Sequence, residues 1–333
     1  MKTLVLAPFS SPGLAALRGL GDVVYEPWTD TQEIQDPETL GQRITAQAID
    51  ALVVEIDFLF EELFDAAPGL CFSAICRSAL NQVDLEAATD RGVVVAHTPG
   101  RNSQAVAELV LGHLLSLARY IPQASTFVKG GLWEDPTEPY IRFQGRELAG
   151  ATLGIIGLGQ IGGRVARLAS GVGMRVQAYD PYISRGSRAA VGVTLINLNT
   201  LLATSDFVSI HVPQTSDTIG MLGGEALARM RAGAYLVNVT SPNIVDHHAL
   251  VAALRVGKLA GAAMDVHDSH PLAPGSPFIS MPNVLLTPHI GGATRETIER
   301  HSAMVVGDLR RFAKDVRPKH LANPDVWERR RKP

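Results

Sequence analysis

The stretch from Thr152 to Asp180 constrains this chain more than any other. Residues 153–156 are an apolar, β-branched run that reads as a buried strand. Gly157, Gly159 and Gly162 follow as G-x-G-x-x-G, where that strand should turn into a helix. The first glycine permits a tight turn, the second lets backbone approach a pyrophosphate, and the third lets helix and strand pack closely. The spacing predicts a helix from about Ile161, with Ile161, Val165, Leu168, Ala169 and Val172 on one face and Gly173 at its end. Its free N–H groups and positive dipole end would face the phosphates. Residues 174–179 read as the next strand, closed by Asp180 eighteen positions beyond Gly162. An acid there accepts hydrogen bonds from ribose hydroxyls and repels a 2′-phosphate, which favours NAD over NADP. Arg185 and Arg188 lie just beyond and keep NADP open.

At 333 residues the chain is too long for one ordinary core, so two domains are expected. Strands at 4–7, 23–25, 51–56, 70–75 and 93–95 alternate with helices at 13–20, 40–49, 61–66 and 84–90, which means βαβ units and a parallel sheet. A long helix over 103–119 follows, with Ser103 as its cap, and residues 121–149 read as a loop region that packs on a partner subunit. Beyond the glycine turn come strands at 207–212, 234–239, 259–266 and 283–287, helices at 198–203, 224–230 and 246–256, and a final helix over 294–312. The run 329–332 reads as a solvated basic tail.

A net charge of −3 gives no sign of a nucleic-acid or acidic-membrane surface. No apolar run approaches membrane-spanning length, and the apolar start is too short for a signal peptide. Cys71 and Cys76 are placed on opposite faces of one strand and match neither a zinc spacing nor a disulfide framework, so a reducing cytoplasm is expected.

Five segments carry a resemblance: T-P-G-R-N-S-Q-A-V-A-E over 98–108, the glycine turn, S-D-F-V-S-I-H-V-P over 205–213, G-A-A-M-D-V over 261–266 and T-P-H-I-G-G-A-T over 287–294. From about residue 70 to 312 the chain resembles the D-2-hydroxyacid dehydrogenases, the family of phosphoglycerate, formate and glycerate dehydrogenases. The resemblance implies two doubly wound α/β parallel-sheet domains. A Rossmann nucleotide domain (99–294) would be inserted in a flavodoxin-like substrate domain (1–98 and 295–333), with a cleft at the hinge. It implies a homodimer, and hydride transfer between a nicotinamide and a small 2-hydroxy or 2-keto acid.

The family uses a histidine that moves the hydroxyl proton, a glutamate that supports it and an arginine that grips the substrate carboxylate. The histidine corresponds to His289. The other two positions depart: in N-V-T-S-P-N-I-V-D over 238–246 Ser241 stands at the arginine, and in D-V-H-D-S-H-P over 265–271 His270 stands at the glutamate. Losing a bidentate arginine removes roughly 3 to 5 kcal/mol, or on the order of 10² to 10³ in rate. A second imidazole disfavours double protonation, so His289 is expected to be a poorer proton donor than in the family. Replacement cations are Arg77, in the loop with Ser78 and Ala79 that would receive the substrate, and Arg101. His267, Asp268, His270 and His289 raise a metal site, but their spacing fits no standard zinc pattern. For the cofactor the resemblance adds Val106 near the nicotinamide, Gln160 and Ile161 at the phosphates, and His211, Val212 and Pro213 by the adenosine. Thr218, Val239, Thr240 and Asp265 complete that set, Asp265 having strand-end capping as its other reading. Cofactor motifs beside two altered positions leave a second function open, an NAD-binding sensor or regulatory scaffold.

Overall fold

The computed structural model describes residues 1–184 and 192–332. It divides into two compact units, Met1–Arg101 with Thr294–Pro333, and Asn102–Ala293.

In the first unit, β1 (Thr3–Val5), β2 (Val23–Tyr25), β3 (Ala51–Val54), β4 (Phe72–Ile75) and β5 (Val94–His97) lie parallel in the order β2-β1-β3-β4-β5. That is the flavodoxin-like doubly wound order. Successive side chains alternate between two apolar layers, as the pleat requires. Leu4, Leu52 and Val95 join Leu40, Ile44 and Leu63 on one face. Val5, Val53, Phe72 and Val94 join Leu17, Val305, Leu309 and Phe312 on the other. The last three belong to the helix Arg295–Ala313, whose first turn is capped by the Thr294 hydroxyl accepting from the Thr297 N–H at 3.2 Å.

The second unit holds β6 (Thr152–Ile156), β7 (Arg175–Tyr179), β8 (Thr194–Leu195), β9 (Phe207–Ile210), β10 (Ala234–Asn238), β11 (Leu259–Met264) and β12 (Val284–Leu286). They form one parallel sheet in the order β12-β11-β10-β9-β6-β7-β8. The strand order reverses at β6, with β7 added on one side and β9 on the other, so the crevice at the carboxyl ends of β6 and β9 is the place where such a sheet binds a ligand.

Several sequence expectations change. Residues 121–149 are not a loop throughout: helices run over Ile121–Lys129 and Glu138–Arg142. The first buries only Phe127 and the second none of its residues, so neither carries the wide apolar stripe that periodicity detects. Ser103 does not cap its helix. Asn102 takes that position, and the Ser103 hydroxyl accepts from Arg164 Nε at 2.8 Å. Cys71 and Cys76 flank β4 rather than lying on it, so the alternation rule fails and both pack in the same apolar layer, where burial pushes both thiols up. The basic run at 329–332 is no solvated tail. Arg331 donates to the carbonyls of Ala67 (3.3 Å), Leu70 (3.2 Å) and, through its backbone N–H, Gly92 (2.8 Å). Arg330 covers the Trp327 ring at 3.7 Å, and Lys332 pairs with Asp315 at 3.1 Å. Arg185 and Arg188 lie outside the described residues. Among those described, no single helix is long and apolar enough to cross a membrane.

Candidate functional site

β6 is buried over all five residues and ends on Gly157, whose φ of 92° turns the chain where a side chain would be strained. A Cβ there would come within 2.8 Å of the His211 carbonyl carbon. At Gly159, the residue before the helix Gln160–Gly171, a Cβ would meet nothing within 4 Å. At Gly162 it would come within 2.1 Å of the Gly157 oxygen. One glycine makes the turn, one leaves an open cradle, and one lets the helix close onto the strand. Among the described residues no side chain caps this helix, so its first N–H groups, at Gln160, Ile161 and Gly162, remain for an anion. Asp180 ties the cradle together, its carboxylate accepting from the Leu158 and Tyr182 N–H groups at 2.9 Å each. Two of about four acceptor positions stay open for ribose hydroxyls. These residues fit a dinucleotide. Gly162→Ala should weaken NADH binding at least about tenfold, because the clash falls on backbone that cannot yield. Fluorescence titration of the folded variant measures this.

The neighbouring positions mostly shape the crevice. His211 binds Ser209 Oγ through Nε2 at 2.8 Å, and burial pushes its pKa down to about 3, so it stays neutral. Val212 is buried against the Gly157 turn. Thr218 Oγ donates to the Pro213 carbonyl at 2.7 Å and accepts from the Thr215 N–H at 2.8 Å, holding the 213–218 turn. Val239 is buried, and Thr240 donates to Asn238 Oδ1 through both its N–H and its hydroxyl, each at 3.2 Å.

The ends of β10, β11 and β12 form one ledge. Asp265 N–H donates to Asn238 O, and Thr287 N–H to Met264 O, each at 3.0 Å. The Asp265 carboxylate, 1% exposed, accepts from Thr287 Oγ1 at 2.6 Å, Ile290 N–H at 2.9 Å and Gly291 N–H at 2.8 Å. It thereby caps the turn carrying His289, whose φ is 57°. A non-glycine residue there costs on the order of 1 kcal/mol, and three hydrogen bonds over-determine it. A Cβ on Gly291 would come within 3.3 Å of Val106, so the buried Val106 packs beneath the same turn. His289 Nδ1 meets His270 Nε2 at 2.9 Å, with ring centroids 5.0 Å apart. One ring donates and the other accepts, so both rings cannot carry a proton on that line.

Ser241 is turned elsewhere. Extended at φ −151°, as a residue before proline prefers, it donates from Oγ to Gln214 Oε1 at 2.5 Å, while Asn238 Nδ2 donates to its carbonyl at 2.8 Å. The metal quartet is also dispersed: His267 Nε2 donates to Thr287 O at 2.9 Å, and Asp268 pairs with His247 at 2.8 Å. Among the described residues no group of three His, Cys, Asp or Glu is placed to hold a metal.

In the first unit, Arg77 is partly buried and donates to Gln82 Oε1 at 3.2 Å. Ser78 Oγ accepts from the Gly100 N–H at 3.0 Å, beside exposed Ala79. Arg101, expected as a substrate cation, is engaged instead. Its Nη2 meets Glu55 Oε1 at 2.5 Å and its Nη1 donates to His301 Nδ1 at 2.8 Å. A guanidinium 10% exposed and neutralised by a carboxylate only 15% exposed is structural, and we do not assign it to substrate. Two ledge residues escaped the sequence reading. Gln214 carries no motif at all, and His113, whose Nε2 lies 3.3 Å from Thr287 Oγ1, looks like any apolar-face position of its helix.

Residues 111–291 match the family described as D-isomer specific 2-hydroxyacid dehydrogenase, NAD binding domain. A glyoxylate reductase of Thermofilum pendens is 35% identical over 98% of this chain and 95% of its own length. A D-3-phosphoglycerate dehydrogenase of Archaeoglobus fulgidus is 35% identical over 97% of this chain, which spans only 59% of that longer protein. Among solved structures, an acyclic imino acid reductase in complex with NADPH and D-Arg superposes with a TM-score of 0.81. It is 25% identical, over 96% of this chain and 99% of its own.

Proposed function

The chain belongs to the D-isomer specific 2-hydroxyacid dehydrogenases, and on that premise we propose that it moves a hydride between a nicotinamide and a small 2-keto acid-like substrate. The observation that carries the reading is the Thr287–Gly291 turn. Asp265 fixes it so that His289 follows the carboxyl end of β12, in the same parallel sheet whose β6 carboxyl end carries the dinucleotide cradle. When bound, NADH supplies the hydride. His289 gives a proton to the substrate oxygen in reduction and takes it back in oxidation. His270 holds Nδ1 and sets the ring plane, but brings no negative charge to stabilise an imidazolium. Arg77 is the cation we assign to an anionic group of the substrate. Asp180 favours NAD, and a cytoplasmic homodimer is the form we expect.

A second reading, an NAD-binding sensor or regulatory scaffold, draws on the closed Ser241–Gln214 pair. The test is an NADH titration followed by a screen of 2-keto and 2-hydroxy acids, phosphorylated ones included. Turnover of any of them supports the dehydrogenase. Tight NADH binding with no turnover, and none appearing in Ser241→Arg with His270→Glu, would favour the sensor. If the scaffold is otherwise competent, that double variant should gain roughly 10²-fold on a simple 2-keto acid.

A further inference from the structure

The loop after β10 and the loop after β9 meet in a corner made wholly of neutral donors and acceptors. Ser241, 9% exposed, donates to Gln214 Oε1 at 2.5 Å, and Asn243 Nδ2 reaches the same oxygen at 3.3 Å. Thr240 is turned back on Asn238 by two bonds of 3.2 Å. Gln214 is exposed, and with Oε1 doubly occupied its Nε2, for which the described residues provide no acceptor, is the donor left to a ligand. The corner shares the ledge with His289, since Asp265 joins the end of β10 through Asn238 and joins the His289 turn through Thr287, Ile290 and Gly291.

A carboxylate brought against this corner would lose far more hydration than a neutral group and would find no opposite charge to offset that loss. An amide or hydroxyl loses far less and still accepts from Gln214 Nε2. Resting on the dehydrogenase reading, we infer that the substituent which Gln214 and Ser241 receive, next to the reacting carbon, is an uncharged oxygen group. The substrate class is therefore a 2-keto or 2-hydroxy amide or related neutral carbonyl compound, with any acid group carried further along the molecule. Gln214 is the residue that sets this specificity. It holds Ser241 and Asn243 through Oε1 and offers Nε2 to the ligand.

The test compares isosteric pairs. D-Lactamide and D-lactate are titrated into the NADH complex, where neither can react, and pyruvamide and pyruvate are compared as substrates. The amide of each pair should be favoured at least about tenfold, because only the carboxylate has a charge to desolvate with no partner charge beside it. Gln214→Leu should erase the binding preference without affecting NADH affinity, and Gln214→Arg should reverse it toward lactate. Equal or tighter binding of lactate by the unmodified protein overturns the inference, as does a preference that both variants leave unchanged. Failure to turn over either pyruvate or pyruvamide, with the amide still bound more tightly, would count against the dehydrogenase reading and uphold the corner's preference for a neutral group.

Discussion

Replacing His289 with alanine should lower kcat by roughly 10²- to 10⁴-fold, the span of a positioned proton donor. The NADH dissociation constant should change less than about threefold. The two effects separate because the turn does not depend on the imidazole. Asp265 holds it through the Thr287 hydroxyl and the backbone N–H groups of Ile290 and Gly291. Alanine is less at home at φ of 57° than histidine, but the three hydrogen bonds from Asp265 hold the turn, so the cradle around Gly157 and Asp180 should remain as built. Stopped-flow hydride transfer from prebound NADH checks this directly. A variant that keeps more than about a tenth of the wild-type rate would remove His289 from the proton path. His270→Ala is the companion measurement. It frees Nδ1 while leaving Nε2 in place, so a positioning role for His270 shows as an altered pH profile of kcat rather than a complete loss.

The dinucleotide half of this site was legible because its chemistry is local. Turn, cradle, helix start and acid all fall within residues 152–180, and the spacing alone implies a turn at Gly157, open space at Gly159 and a close approach at Gly162. Strand existence was equally open to reading, since β3, β4, β6 and β10 are buried along their whole length and read as mostly apolar runs. The substrate side was not legible, because its partners are far apart in the chain. Gln214 and Ser241 are 27 positions apart, and nothing in either tells of the other. Arg101 misled for the same reason. Beside a proline-glycine turn it resembles a free cation, and only the fold reveals Glu55 46 positions earlier and His301 200 positions later. The Asp265 carboxylate lay between the two cases. Its place at a strand end was visible, but its three donors come from a turn more than twenty residues away.

Glu55→Ala should destabilise the protein by about 3–5 kcal/mol, because it leaves the Arg101 charge buried without a partner. Glu55 is doubly placed, accepting from Arg101 at one oxygen and from Trp28 Nε1 at 3.1 Å at the other, with 15% of its side chain exposed. Glu55→Gln removes the charge but keeps an acceptor for one of the two donors, so it should lose less. In urea unfolding, the loss shared by the two variants contains the charge, and the difference between them reads the remaining hydrogen bond and packing. The same network makes stability depend on pH. Burial first, and then the Arg101 guanidinium, push His301 down to about 4. His301 donates from Nε2 to the Pro8 carbonyl at 2.7 Å and accepts from Arg101 at Nδ1, so a proton on Nδ1 would break that second bond. The folded chain therefore resists protonation that the unfolded chain accepts near pH 6.5. Its contribution is fully present above pH 6.5 and is lost as pH falls toward 4, by up to about 3 kcal/mol. A His301→Gln variant should be less stable at pH 7.5 and flatter across that window. If its unfolding free energy fell with pH as steeply as the wild type's, the acid sensitivity would belong to other groups, and the Glu55–Arg101–His301 cluster would be a matter of packing alone.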